Sequence, residues 1–226
     1  AFILISLIGV SLHPLIIKPL LKSYGWEMNT IIATLGVSIV FVNLALLAFG
    51  PRRKTVPLII EGQMIVYNSV VVSYHEIVVG AVAIASLIAM AIFLKRSRHG
   101  LAILAVAQNR DAAYLMGVNV FQIFALVLAV SSGLAAISGG LLASFYFLSP
   151  TVGGIPQLKA LLVTIFGGLG SVKGTVYAAY IVGLMEALVS LYLGGKWALP
   201  FLFVFMILVL IIKPSGLFGL REEVRL

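Results

Sequence analysis

The chain has no cysteine and few charged residues, and both shortages restrict what it can be. Of its 226 residues, 10% are charged and 62% are apolar, whereas an ordinary globular protein is roughly a quarter charged and half apolar. The absence of cysteine excludes disulfides, thiol catalysis and cysteine-bound metals. Together with a mean hydropathy of +1.19, this composition predicts an integral membrane protein.

Sequence motifs for catalysis are also absent. The histidines His13, His75 and His99 are scattered, and neither His-Glu-x-x-His nor Gly-x-Ser-x-Gly occurs. The segment GGLGSVKGT lacks the order of a phosphate-binding loop because Lys173 precedes Gly174. We therefore predict no catalytic residue, no metal site and no cofactor held by this chain, and we interpret GGLGSVKGT as a tight turn between two spans.

Long apolar runs determine the predicted fold class, since a helix of about 20 residues crosses a bilayer. A partial run at 1–10 is followed by runs at about 29–49, 76–94, 119–143, 157–169, 174–193 and 197–213. We predict an all-α, polytopic membrane bundle with about seven visible spans, the first of them truncated, in a single transmembrane domain over residues 1–226. Because the chain starts inside an apolar run and without Met, we expect an N-terminal part to precede it.

Two connections between the spans have distinct sequences. Residues 57–73, PLIIEGQMIVYNSVVVS, are rich in β-branched side chains around Asn68-Ser69, which predicts a small external hairpin or, as the alternative, an irregular loop. The run at 157–169 is short for a span. Part of 144–157 is therefore predicted to be an irregular or re-entrant approach, which a bilayer allows only where protein or water satisfies the backbone.

Lysine and arginine indicate the orientation of the chain in the membrane. The net charge of +8 would suit nucleic acid in a soluble protein, but in this composition it indicates basic cytoplasmic loops and no nucleic-acid partner. If residues 95–118 face the cytoplasm, the cluster Arg52-Arg53-Lys54 falls on the other side with Lys159 and Lys196. The cytoplasmic side then holds ten of the fifteen basic residues: Lys18, Lys22, Lys95, Arg96, Arg98, Arg110, Lys173, Lys213, Arg221 and Arg225.

A polar but helix-forming stretch separates two of the spans, and Leu104 to Asn119 reads LAVAQNRDAAYLMGVN. Arg110 and Asp111 would each cost roughly 2.5–3.5 kcal/mol at the membrane centre, so this stretch is predicted to lie outside the hydrocarbon. Its alanines favour a short helix, and that helix would expose a face of small and apolar side chains. On composition alone, such a helix either lies on the lipid headgroups or seats against a partner protein.

Glu186 is an ionisable residue within a predicted span, twelve residues into the run at 174–193. A charged side chain there has a high free-energy cost unless it faces the protein interior or water. Glu186 is therefore a candidate for the translocation path, or alternatively a structural partner of the backbone or of Lys159. Phe145, Tyr146 and Thr164 are further candidates for the path, although aromatic residues near a span end also form interfacial belts.

Small residues recur at Ser132, Ala136 and Gly140 in the run at 119–143. Residues four apart share one face of a helix. This pattern is typical of close packing between neighbouring spans, with a functional pathway or a contact with a second membrane subunit as the alternative.

The residues around the polar stretch resemble a known family. RHGLAILAVAQNRDAAYLMGVN is similar to the cytoplasmic coupling segment of branched-chain amino acid ABC importer permeases. Two later segments, PTVGGIPQLKALLVTIFGGLGSVKGTVYAAYIVGLMEAL and IIKPSGLFG, resemble further motifs of that family in the same order. The chain departs from the family where Leu101 and Leu104 replace a frequent Arg and where Lys173 replaces the usual Pro.

The resemblance implies an importer built from two permeases, two cytoplasmic ATP-binding subunits that hold ATP and Mg, and an external solute-binding protein. This chain would be one permease in the lipid of the prokaryotic inner membrane, beside an identical or homologous second permease. It would be a non-catalytic subunit that translocates branched-chain or other apolar amino acids. Residues 100–117 would be a cytoplasmic coupling helix, and the residues expected to couple to the ATPases are Ala107, Gln108, Asn109, Asp111, Ala112, Ala113 and Gly117.

Two other functions remain alternatives. Permeases of the same family also serve urea or short amides, and no residue of this sequence separates these solutes from amino acids. An ATP-independent secondary transporter or channel would instead couple through acids or bases inside the membrane, for which Glu186 is the candidate, and would often show paired repeats.

Overall fold

The computed structural model describes residues 2–20, 25–55, 62–67, 70–168 and 170–217. Within these ranges, six helices are long and apolar enough to cross a membrane, and Gly154–Gly167 is a shorter apolar helix. The six are Phe2–Leu20, Met28–Phe49, Tyr74–Arg96, Val120–Leu142, Val172–Tyr192 and Gly195–Ile212. The predicted polytopic helical bundle is confirmed.

The elements follow one another in a simple order. The first span consists of α1 (Phe2–Leu12), a π-helical turn (His13–Ile17) and α2 (Lys18–Leu20). The remaining elements are α3 (Trp26–Phe49), β1 (Gln63–Tyr67), β2 (Val70–Ser73), α4 (Tyr74–Arg96), α5 (Arg98–Gln108), α6 (Arg110–Leu115), α7 (Val120–Leu142), α8 (Gly154–Gly167), α9 (Val172–Tyr192) and α10 (Gly195–Ile212).

The first span is longer than the partial run predicted at 1–10. Pro14 lacks a backbone N–H, and in an α-helix its ring would clash with the preceding turn. The π-helical turn that contains Pro14 accommodates this defect, so the helical path continues to Leu20.

The chain divides into two compact units, residues 1–152 and residues 153–226. In the first unit, α1 packs along α7. A Cβ added at Gly9 would lie 2.9 Å from the carbonyl oxygen of Leu128 and would also meet the hydroxyl of Ser132. At Gly133, an added Cβ would meet the ring of Phe2. Gly9 thus allows the backbones of the two helices to approach closely, and Gly133 leaves room for the side chains of α1, as apolar helices in lipid require.

This packing accounts for part of the small-residue pattern predicted in α7. Ser132 lies against Gly9, and Ala136 is buried. Gly140, in contrast, is exposed, and an added Cβ would meet no atom within 4 Å. The pattern therefore reflects helix packing at its first two positions.

Strands β1 and β2 form an antiparallel hairpin that leads into α4. Gln63 pairs with Ser73 and Met64 with Val72, which confirms the predicted hairpin; Asn68-Ser69 lies outside the described residues. Ser73 then caps α4, because its Oγ accepts the His75 N–H at 3.3 Å and its own N–H donates to Glu76 Oε2 at 3.3 Å. The sequence Ser73-x-x-Glu76 is a capping box.

An irregular segment joins α7 to α8, as predicted. It extends from Ala143 to Gly153, and α8 begins at Gly154. Lys54 and Leu148 exchange two backbone hydrogen bonds, of 3.0 Å and 2.8 Å, which tie this segment to the residues that follow α3. These bonds satisfy backbone groups that the helices cannot.

The second unit packs α8, α9 and α10 around one apolar core. Its buried members are Leu162, Phe166, Ala178, Val182 and Leu202. The turn between α8 and α9 is tight, because a Cβ at Gly167 would lie 2.6 Å from the Thr175 nitrogen. Gly168 and Gly170 adopt positive φ angles of 97° and 84°, which glycine tolerates best. GGLGSVKGT is therefore the tight turn predicted from sequence.

The segment after α10 packs against this same turn. The Leu217 N–H donates to the Phe166 carbonyl at 2.8 Å, and Lys213 Nζ donates to the Leu217 carbonyl at 2.6 Å. Gly216 has a φ of 74°, and a Cβ there would lie 2.7 Å from Gly168 Cα. The described part of the motif IIKPSGLFG, residues 211–217, thus packs on the turn between α8 and α9.

We predict that Gly9→Ala destabilises the protein by roughly 1–3 kcal/mol, because the new Cβ meets a backbone carbonyl that cannot move aside cheaply. Thermal unfolding of the purified protein in mild detergent measures the effect. Gly139→Ala is the matched control, since an added Cβ at Gly139 meets nothing within 4 Å. Equal unfolding temperatures for the two variants would contradict the proposed close contact between α1 and α7.

Candidate functional site

The polar stretch that connects α4 to α7 consists of two helices, which corrects the single helix predicted over residues 100–117. Asn109 ends α5 and caps α6, with an extended backbone at φ −154° and ψ 107°. Its Oδ1 accepts the Ala112 N–H at 2.9 Å. Asparagine is favoured at such a cap because its side chain competes with the helical backbone for hydrogen bonds. Residues 98–117 are called the α5–α6 segment below.

The α5–α6 segment is attached firmly to α4. Ser97 Oγ accepts the Gly100 N–H at 2.8 Å and donates to the Phe93 carbonyl at 2.7 Å. Gly100 is buried, and a Cβ there would lie 2.6 Å from Leu94 Cα. Because α5 also packs against α7, a displacement of this segment acts on both long helices.

Aromatic contacts hold α6 as well. The Arg110 guanidinium carbon lies 4.5 Å from the centre of the Trp26 ring. Trp26 in turn packs edge-to-face on Phe124, with 5.9 Å between ring centres. A cation over a tryptophan face contributes about 0.5–1 kcal/mol at an exposed site. These contacts connect α6 to α3 and α7.

Most of the predicted coupling residues lie on the surface. The exposed ones are Ala107, Gln108, Asn109, Asp111, Ala112 and Gly117. Ala113, the remaining predicted coupling residue, is only 5% exposed. Ala112 is therefore exposed while Ala113 is buried, because successive residues of a helix point about 100° apart.

The predicted list of coupling residues omits the largest side chains of this surface. Leu115 and Met116 are each 84% exposed, and Tyr114 is exposed beside them. Such a cluster of apolar side chains next to polar ones is typical of an interaction site. The sequence signal was the run Tyr114-Leu-Met116 immediately before Gly117, whose φ of 85° marks the end of the helix.

Glu186 forms an ion pair with Lys159. Lys159 Nζ donates to Glu186 Oε1 at 2.5 Å, between α8 and α9, with the two side chains 23% and 32% exposed. This is the structural partner that the sequence offered as an alternative to a place on the path. Pairing lowers the cost of charge inside a span, and it explains how both residues lie in apolar helices.

The other candidates for the translocation path fall in different places. Phe145 and Tyr146 follow α7 in the first unit, and both are exposed. The Phe145 ring centre lies 5.1 Å from that of His75. Thr164 belongs to α8 in the second unit, where its Oγ donates to the Ala160 carbonyl at 2.8 Å. Its hydroxyl is therefore already used by its own helix.

Ionisable side chains do not gather into a metal site anywhere in the described ranges, since no group of three or more His, Asp or Glu residues lies close together there. What the structure presents instead is an exposed helical segment between two spans. Six membrane-spanning helices with such a segment define a multi-pass membrane protein.

The family described as "Branched-chain amino acid transport system / permease component" matches residues 2–211. The chain belongs to this family. It is therefore a transport permease, a multi-pass protein of the inner membrane and a component of a system with further subunits.

The chain is similar to several curated permeases. It is 32% identical over 229 residues to the "High-affinity branched-chain amino acid transport system permease protein LivH" of Salmonella typhimurium, covering 99% of this chain and 73% of that protein. It is 29% identical to the corresponding BraD protein of Pseudomonas aeruginosa, over 99% and 74% of the two chains. The "Fructose import permease protein FrcC" of Rhizobium meliloti is 30% identical over 100 residues, 41% of this chain and 28% of that one. No solved structure matches.

We predict that Lys159 and Glu186 are energetically coupled. Glu186→Gln and Lys159→Met should each destabilise the protein because each leaves a charge or a polar group without its partner. The double variant should lose less free energy of unfolding than the two single variants lose together, by about 0.5–3 kcal/mol. Thermal unfolding of the four proteins measures this coupling, and strictly additive losses would show that the ion pair has no energetic role.

Proposed function

We propose that this chain is one permease subunit of an ATP-driven ABC importer, and that it translocates branched-chain or other apolar amino acids delivered by an external solute-binding protein. The family membership supports the permease role, and the names of LivH and BraD support the solute class. The exposed α5–α6 segment carries the proposal, because it offers a partner surface on a connection that joins two spans.

Coupling requires that a movement outside the membrane reach the spans. We infer that two cytoplasmic ATP-binding subunits, which hold ATP and Mg, seat against the α5–α6 segment of each permease. The corner at Gly100 and the contact between Arg110 and Trp26 fix this segment to α3, α4 and α7. A rigid attachment of this kind transmits a displacement to the spans, and this chain needs no catalytic residue of its own.

The chemistry of the surface suits such a partner. Small side chains at Ala107 and Ala112 allow close seating, and Leu115 and Met116 supply apolar area. Asn109 and Asp111 offer polar groups beside them. Apolar anchors with a polar rim are the usual composition of a protein interface, whereas a helix lying on lipid headgroups would favour a basic polar face.

The ion pair at Glu186 favours ATP-driven transport over the secondary-transporter alternative. A secondary transporter couples through ionisable groups that change charge or partner within the membrane. The candidate acid identified from sequence is already bound to Lys159. Transport of urea or short amides remains an alternative solute class for the same importer architecture.

We predict that Ala112→Cys crosslinks to an ATP-binding subunit, whereas Ala113→Cys does not, because the first position is exposed and the second is buried. The chain has no cysteine of its own, so each variant carries a single thiol. A reagent that couples to the thiol and carries a photoactivatable second group is applied to native membranes, and the products formed on irradiation are identified by mass spectrometry. Failure of Ala112→Cys, Asp111→Cys and Leu115→Cys alike would contradict the proposed coupling surface.

We predict that the complex purified in mild detergent contains ATP-binding subunits, and that it moves leucine into proteoliposomes only with ATP and the solute-binding protein. Unlabelled leucine should compete with the labelled solute, and urea or acetamide should not. Uptake by the isolated chain without ATP would identify a secondary transporter or channel. Competition by urea alone would assign the permease to the other solute class.

A further inference from the structure

Three basic residues in succession, Arg52, Arg53 and Lys54, follow the end of α3. Because α3 and α4 both cross the membrane, residues 50–73 lie on the side opposite the α5–α6 segment. With that segment in the cytoplasm, as proposed above, this side is external, where basic residues are normally scarce. Residues 50–73 carry one acidic residue, Glu61, against the three basic ones, so this connection has an excess of positive charge.

A cavity of about 290 Å³ lies beside this basic cluster, within the first unit. The two backbone hydrogen bonds between Lys54 and Leu148 hold its walls together, because they join the connection after α3 to the segment after α7. The lining includes Ala45 and Phe49 of α3, the basic residues Arg52 and Lys54, and Leu148 and Ser149 of the segment after α7. We call this space the α3-end cavity.

Two of the three basic residues border the α3-end cavity. Arg52 and Lys54 line it, whereas Arg53 between them does not. This alternation is expected of an extended backbone, in which every second residue points to the same side. Arg52 and Lys54 are exposed, and the described residues 50–55 and 143–153 contain no Asp or Glu. Two positive charges therefore border one cavity without a carboxylate in its walls.

The remaining wall of the cavity is apolar and lies at the edge of the membrane. Ala45 and Phe49 belong to the span Met28–Phe49, of which no residue is buried within the described protein. Phe49 is 70% exposed. Arg52 follows Phe49 by three residues, and an extended chain advances at most about 3.6 Å per residue. The basic side chains can therefore reach the headgroup layer, which extends roughly 5–8 Å beyond the hydrocarbon.

We propose that the α3-end cavity binds an anionic phospholipid, with the lipid phosphate at Arg52 and Lys54 and the first part of an acyl chain along Ala45 and Phe49. An arginine can donate two parallel hydrogen bonds to a phosphate, and a lysine adds a second positive charge. Basic pockets between membrane helices bind anionic headgroups by the same attraction. A zwitterionic lipid brings the same phosphate, but the two basic residues repel its ammonium group.

The apolar wall favours a lipid over an acidic segment of another protein. Ala45 and Phe49 lie within the apolar part of a span, at a depth that a soluble partner does not reach. A second, identical permease would bring the same excess of basic residues and therefore no complementary charge. A phospholipid carries an anion and an apolar chain at the two adjacent depths where the cavity has its basic residues and its apolar wall.

The first test locates the lipid. Thr151→Cys introduces a single thiol next to the cavity lining, because the chain has no cysteine of its own, and the thiol is labelled with a fluorophore. The labelled full chain is placed in phosphatidylcholine vesicles that contain either brominated phosphatidylglycerol or brominated phosphatidylcholine. The brominated phosphatidylglycerol should quench the fluorophore more strongly. Equal quenching by the two lipids, or quenching by neither because a protein fills the cavity, would overturn the proposal.

The charge dependence of the quenching has a matched control. Arg52→Gln and Lys54→Gln should each weaken the binding of phosphatidylglycerol about fivefold, as expected for one basic residue near a membrane surface. Arg53→Gln removes the same charge from the same connection but not from the cavity lining, and it should leave the preference unchanged. If all three variants lose the preference equally, general attraction to the basic connection explains it, and the proposed site is overturned.

The second test measures binding through stability, without a label. In mild detergent, phosphatidylglycerol should raise the unfolding temperature of the full chain more than phosphatidylcholine does, because a ligand of the folded state stabilises it. Arg52→Gln with Lys54→Gln should abolish this difference, and Arg53→Gln should keep it. Because Lys54 bonds Leu148 through its backbone, the double variant retains that bridge. An equal rise with both lipids in the unmodified protein would contradict a site for an anionic headgroup.

Inorganic phosphate separates a lipid site from a site for any anion. At millimolar concentration it should neither raise the unfolding temperature nor reduce the quenching by brominated phosphatidylglycerol, because it lacks the apolar chain. If it does both, and if both effects require Arg52 and Lys54, the cavity is a site for small anions and the lipid assignment is overturned. None of these measurements depends on the solute or on ATP, so their failure would leave the proposed function intact.

Discussion

Close approach between helix backbones is the constraint on which this structure depends. Apolar side chains gain little by leaving lipid for one another, so helices in a membrane associate through tight packing and hydrogen bonds. Gly9 and Gly133 permit this contact between α1 and α7, Gly100 permits it at the corner of α4 and α5, and Gly167 permits it at the turn between α8 and α9. Each glycine stands where a Cβ would meet atoms of a neighbouring segment.

The α5–α6 segment is packed firmly, whereas α4 and α7, the helices that it joins, leave space between them. The α5–α6 segment is fixed to α4 by Ser97 and Gly100 and to α3 by the contact between Arg110 and Trp26. The two long helices that this segment joins are nevertheless separated by a cleft. Because α5 packs against both α4 and α7, a displacement of the segment is delivered to both helices.

Polar and charged side chains inside the spans differ in whether they have a partner. Lys159 and Glu186 neutralise each other between α8 and α9, so each of these two charges has its partner on the neighbouring helix. The polar groups of His75 and Ser144 in the first unit have no such partner.

The sequence by itself determined the spans, the hairpin after α3, the irregular approach to α8 and the existence of a polar helical connection. These features depend on local hydropathy and backbone preference, which neighbouring residues decide. The motifs in that connection also indicated the family. The tertiary structure alone decided that Asn109 breaks the connection into two helices, that Ala113 is buried beside an exposed Ala112, and that Lys159 meets Glu186 across 27 positions. It also decided that α4 and α7 leave a cleft, because the contact or separation of two helices depends on side chains distant in the sequence.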